Sequence, residues 1–222
     1  MNLVEVTQEG AGILDIANSV ADGFFTAGVE TCCVYIFYGA QRYALVHDTG
    51  QIALPAIVAI ARQCGTIQEA FCAINPLRVS READELHEDR RGRLKNLLKL
   101  KRGMSKLVIP DGNLACLSNR TSLVTNQQIM AYDPAFTRAP GADVRKQINI
   151  LNNLFSKKNS QSLPVDFQFD VDHYTAYPPL LKTDAEMQAL AEDKLRQGDT
   201  DYLVMLKAAR EIFATASAVE RI

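Results

Sequence analysis

The run from residue 31 to residue 50 constrains this chain more than any other. It reads as two strands dense in β-branched and aromatic side chains. Val34, Tyr35, Ile36, Phe37 and Tyr38 precede Gly39-Ala40, and Tyr43, Ala44, Leu45 and Val46 follow it. A two-residue connection with Gly first reads as a type II′ hairpin turn, and such a turn sets the register. Tyr38 then faces Gln41, Phe37 faces Arg42, Ile36 faces Tyr43, and the pairing continues outward to Cys32 opposite His47. Directly opposed residues project to one face, with Cβ atoms about 4.5–5.5 Å apart. A thiol and an imidazole at that spacing have the geometry of a nucleophile and its base. A buried Cys beside a hydrogen-bonded His in an ordinary sheet is the plainer reading, because Cys is among the most buried residue types. Cys33 points to the opposite face of a regular strand and is expected in the core.

Size and composition leave room for a catalytic domain but do not demand one. The 222 residues suit one domain, and the 47% apolar content is ordinary for a packed core. A net charge of −2 argues for neither DNA nor a membrane surface. Five cysteines with no CxxC and no Cys/His cluster point to reduced thiols rather than a disulfide framework. The N-terminus is not basic, and no apolar run approaches the ~20 residues of a membrane span. The expected setting is a cytosol that keeps thiols reduced, with delivery to another cell by a leaderless route left open.

The expected fold class is α+β, with β-sandwich-like mixed sheets surrounded by helices and a helical C-terminal part. One catalytic domain spans 1–222, with a core to about residue 130 and an elaboration over 131–222. Strands are expected at 2–7, 69–74, 106–109, 114–117, 122–125 and 165–171. Helices are expected at 11–21, 54–64, 81–102, 143–155, 183–196 and 200–218, the third with a break at Gly92. A loop is expected over 133–141. Pro55 and Gly65 mark the two ends of the second helix.

Thr26 adds to the Cys–His pair. It stands six residues before Cys32, and His47 stands fifteen after it. A Thr, Cys and His so spaced across a hairpin resembles the glutamine deamidases that include the chemoreceptor deamidase of bacterial chemotaxis, the catalytic domain of the cytotoxic necrotizing factors, and the Burkholderia lethal factor. Val29-Glu30-Thr31-Cys32 and His47-Asp48-Thr49-Gly50 carry the likeness, which covers residues 24–50. Two departures stand out. Glu30-Thr31 replaces the family's Ser and Gly before the Cys, and Asp48 is inserted between His47 and Thr49. The resemblance implies a cysteine-dependent amidohydrolase with Cys32 as nucleophile, His47 as base and Thr26 orienting the imidazole. It implies a glutamine-containing protein substrate and a bacterial toxin or effector role in virulence, in the bacterial cytoplasm before leaderless secretion and then in a host cytosol. A monomer with no cofactor and no metal is expected. The same constellation serves a transglutaminase or a protease.

A reading from another class is a non-catalytic interaction module. Between Arg90 and Lys106 lie eight Lys or Arg and no acid, interspersed with Leu94, Leu97, Leu98 and Leu100. Such a basic amphipathic helix can dock an acidic partner, with Arg90, Arg91 and Arg93 as its contacts, can be neutralised within the molecule by the acids between Asp166 and Asp201, or can simply be a solvated face. His87 on the same helix reads as exposed. His173, among Asp170 and Asp172, lacks a second His at ligand spacing and reads as no metal site. Cys64, Cys72 and Cys116 read as core.

Overall fold

The computed structural model describes residues 1–137, apart from positions 9, 18, 20 and 51, together with strands at 168–170 and 175–177. The helices expected at 143–155, 183–196 and 200–218, and His173, lie outside the described residues.

The architecture is mixed α+β, built on two mixed sheets. Strands β1 (Asn2–Glu5), β3 (Gly23–Thr26), β8 (Leu114–Leu117), β9 (Ser122–Leu123) and β10 (Ala135–Thr137) form one sheet in the order β10-β1-β3-β8-β9. The second contains β2 (Ala11–Asp15), β4 (Cys33–Tyr38), β5 (Arg42–Asp48), β6 (Glu69–Ile74), β7 (Ser105–Val108), β11 (Gln168–Asp170) and β12 (Thr175–Tyr177), in the order β11-β12-β2-β5-β4-β6-β7. Helices α1 (Leu54–Gln63) and α2 (Arg81–Leu97) cover one face of the second sheet, while short α3 (Asn126–Met130) packs beside β9. Among the described residues no helix is long and apolar enough to cross a membrane.

Strand alternation divides β4 and β5 between two cores. Val34, Ile36 and Tyr38, with Tyr43 and Leu45, face the first sheet and pack with Val4, Val6, Phe24 and Leu114. Tyr35, Phe37, Ala44 and Val46 face the helices and pack with Ile57, Ala61 and Leu94. Every residue of β4 is buried, so the strand reads as a continuous apolar run in sequence.

The hairpin register differs from the expected one. Tyr38 pairs with Tyr43, Ile36 with Leu45 and Val34 with His47. The turn residues are Ala40 and Gln41, and the Gly39 N–H donates to the Arg42 carbonyl at 2.8 Å. Gly39 is needed for room rather than for turn geometry. A Cβ there would lie 1.8 Å from the Cys64 carbonyl oxygen, at the C-terminal end of α1. Moving the turn by one residue moves the pairing by two, which preserves the faces.

Three local expectations are also corrected. The stretch expected as a helix over 11–21 begins as strand β2, because Gly12 lies under the Phe24 ring, where a Cβ would sit 2.3 Å from Cε1. Part of the loop expected over 133–141 is β10, which pairs in parallel with β1. Helix α2 runs unbroken through Gly92 and stops at Leu97. It is N-capped by Ser80, whose Oγ accepts the Ala83 N–H at 3.2 Å.

Candidate active site

His47 lies near the end of β5 on the face toward the first sheet, and it is almost fully buried. Its Nδ1 is 2.8 Å from Oγ1 of Thr26, the last residue of β3 and wholly buried. The Thr26 hydroxyl donates to the Val6 carbonyl at 2.7 Å. A hydroxyl has one proton to give, so toward His47 it can only accept. Nδ1 therefore carries hydrogen, and in the neutral ring Nε2 is left as the basic nitrogen. A hydroxyl that fixes the tautomer of an imidazole occupies the position of the third group in a triad.

Cys32 precedes β4 and belongs to the inner core with Val29, Val34 and Val6. Continuing the observed register one pair outward sets Cys32 opposite Thr49, so it lies diagonally from His47 rather than directly across. Such diagonal neighbours share a face with Cα atoms about 7–8 Å apart. The fold thus joins Thr26 to His47 directly and places Cys32 on the same inner face. Cys32 is 7% exposed, yet the residues before it, Glu30 and Thr31, are exposed. Glu30 is in solvent rather than in the thiol's core. Val29 ties this loop to the rest of the protein through its N–H to the Gly112 carbonyl at 2.9 Å.

Cys33 faces away, as strand alternation requires, and its Sγ is 3.0 Å from that of Cys72. Burial and the neighbouring Cys72 thiol push the Cys33 thiol well up. Burial also pushes Cys64 and Cys116 up to about 12.

Helix α2 contributes two contacts absent from the sequence reading. His87, expected to be exposed, is 2% exposed, and its Nε2 donates to the Thr31 carbonyl at 2.8 Å. Arg90, expected to face a partner, is buried: its Nε reaches Asp48 Oδ2 at 2.9 Å and its Nη2 lies 2.7 Å from the same oxygen. The other Asp48 oxygen accepts the Gly50 N–H at 2.9 Å and the Ile52 N–H at 3.2 Å. Asp48 is thus the anchor of the turn after β5. One turn of α2 grips the residue before Cys32 and the residue after His47. The sequence did carry a signal for this: His87, Arg90 and Leu94 are spaced i, i+3, i+7, one helical stripe, and Leu94 marks that stripe as inward.

The remaining basic residues differ in setting. Arg91 bonds Glu88 and the Met104 carbonyl, whereas Arg93 is exposed beside Asp89 at 3.7 Å. Among the described residues, no group of three or more His, Cys, Asp or Glu side chains could hold a metal ion.

The Thr26 contact makes a spectroscopic prediction. His47 is expected as the Nδ1–H tautomer at pH values where the ring is neutral, read from imidazole 15N shifts. Thr26→Ser preserves that tautomer, whereas Thr26→Val removes the acceptor and shifts the population toward Nε2–H. Unchanged 15N shifts in Thr26→Val would show that the hydroxyl does not set the proton's place.

No family model matches this chain, and no curated protein matches it.

Proposed function

We propose that the chain is a thiol-dependent protein-glutamine deamidase, with Cys32 as nucleophile, His47 as base and acid, and Thr26 as the group that orients the imidazole. The observation that carries this reading is the 2.8 Å contact between Thr26 Oγ1 and His47 Nδ1, with the Thr26 proton committed to Val6. The observed register also sets Cys32 on the same face of the sheet as His47. The resemblance of residues 24–50 to the deamidases supports the same assignment.

The chemistry follows from the residues. His47 Nε2 takes the Cys32 thiol proton, and the thiolate attacks the side-chain carboxamide carbon of a substrate glutamine. The C–N bond breaks as His47 returns the proton to the departing ammonia. Water, deprotonated by the same nitrogen, then cleaves the thioester and releases glutamate and the thiol. Backbone N–H groups beside Cys32 are the natural donors to the oxyanion, each worth about 3–4 kcal/mol in comparable sites. On the resemblance, the substrate is a protein and the chain a bacterial effector acting on it.

The test is mass spectrometry of candidate substrate proteins after incubation with the chain. One glutamine is expected to become glutamate, with release of ammonia, and Cys32→Ser and His47→Ala each abolish the conversion while melting near wild type. A cleaved backbone instead identifies a protease. Attachment of an added amine identifies a transglutaminase. Conversion that survives in Cys32→Ser ends the proposal.

A further inference from the structure

A second surface lies at the far end of the same hairpin. A cavity of about 750 Å³ opens between the C-terminal ends of α1 and α2 and the start of β6. Arg62, Lys99, Lys101, Arg102 and Arg120 line it, with Glu69 as the one carboxylate among the described residues. Arg120 and Glu69 neutralise each other at 2.6 Å, and Arg120 also reaches the Gly39 carbonyl at 3.3 Å. That leaves Arg62, Lys99, Lys101 and Arg102, all exposed, with no ion pair among the described residues. Lys99 is held at φ 52, a conformation costly for a side-chain-bearing residue. Between the cations the wall is apolar: Ile67, Leu97 and Leu98 contribute, and Leu97 is 48% exposed.

Cations gathered around one concavity repel one another unless an anion joins them. The walls distinguish between kinds of anion. Among the described residues no aromatic side chain lines the cavity, so nucleotide bases would find no stacking platform there. Alternating cationic and leucine-type walls fit a short segment in which carboxylates and apolar side chains are interspersed.

We propose that this groove is a docking site for an acidic, leucine-containing segment of a partner protein. It lies roughly 20 Å from Cys32 along β4, since a strand rises about 3.3 Å per residue, and it is separate from the proposed catalytic residues. The proposal stands whether or not the chain is a deamidase.

Fluorescence anisotropy on the full chain carrying Cys32→Ser tests it without involving activity. The probe is a fluorescein-labelled peptide of about fifteen residues repeating Glu-Glu-Leu, and the control has Gln in place of Glu. Saturable binding of the Glu peptide is expected, weakening as salt shortens the Debye length. The triple reversal Lys99→Glu, Lys101→Glu, Arg102→Glu should weaken it roughly tenfold or more, as loss of complementary charge requires. The neutral set Lys99→Gln, Lys101→Gln, Arg102→Gln gives an intermediate loss and guards against misfolding of the reversal. Absence of binding, equal binding of the Gln peptide, or indifference to both triple variants overturns the proposal. So does a single-stranded RNA of similar length that displaces the peptide at lower concentration, which would mark a nucleic-acid site.

Discussion

Under brief iodoacetamide treatment of the reduced, folded protein, Cys32 is expected to be labelled at least about tenfold faster than Cys33, Cys64, Cys72 or Cys116, because thiolate character and access govern the reaction. The other four are 0–3% exposed, and burial pushes three of them up: Cys33 well up, Cys64 and Cys116 up to about 12. Raising the pH from about 7 to 9 therefore leaves Cys64 and Cys116 as thiols in the folded protein, although free cysteine ionises near pH 8.5. Their labelling should stay slow across that range and become fast only on unfolding. Cys32 adjoins the exposed residues Glu30 and Thr31, so a small local opening gives the reagent entry without unfolding the sandwich. His47→Ala should slow Cys32 and no other cysteine. Peptide mapping after a short exposure reads all five rates together. A slow Cys32, or one indifferent to His47→Ala, removes the nucleophile assignment.

The largest loss of stability is expected at Arg90. Arg90→Ala leaves the Asp48 carboxylate buried without its guanidinium, a change that costs about 3–5 kcal/mol in comparable buried pairs. That is a large part of the roughly 5–15 kcal/mol that holds a domain folded. Arg93→Ala, three residues on and exposed, should change stability by less than about 0.5 kcal/mol. The neutral double variant Asp48→Asn with Arg90→Gln should lose less than Arg90→Ala, because no charge is then stranded and Asn still accepts from Gly50 or Ile52. Urea midpoints measure the series. Arg90→Ala matching Arg93→Ala would show that the ion pair contributes nothing to stability.

What the sequence conveyed and what it withheld divide along a physical line. Strand β6 is expected and observed over the same six residues, Glu69–Ile74, a short run closed by the turn signal Asn75-Pro76. The hairpin and its two faces were equally legible, since alternation is a local property. Its register was not. The turn is placed by the approach of Gly39 to Cys64, a contact between elements distant in sequence. Gly12 under Phe24 withheld β2 for the same reason: Ala11, Ile13 and Leu14 fit a helix or a strand equally well until the partner is known. At the candidate site, Thr26, Cys32 and His47 were readable from spacing, and the fold sets Thr26 against His47. The roles of His87, Asp48 and Arg90 were hidden by their charge, which suggests a surface. A charged residue is costly to bury without a partner, and partners across the fold leave no local mark.

The grip of α2 on this region has a mechanical consequence. His87 and Arg90 stand one helical turn apart on a rigid element, and they hold Thr31 and Asp48, the immediate neighbours of Cys32 and His47. A shift of the whole helix therefore carries the thiol and the imidazole in the same direction. The separation between them, being a difference of two displacements, changes much less than either. A bend between residues 87 and 90 would instead move Thr31 and Asp48 relative to each other. The two sides of the candidate site thus share one short segment of helix as a common mount.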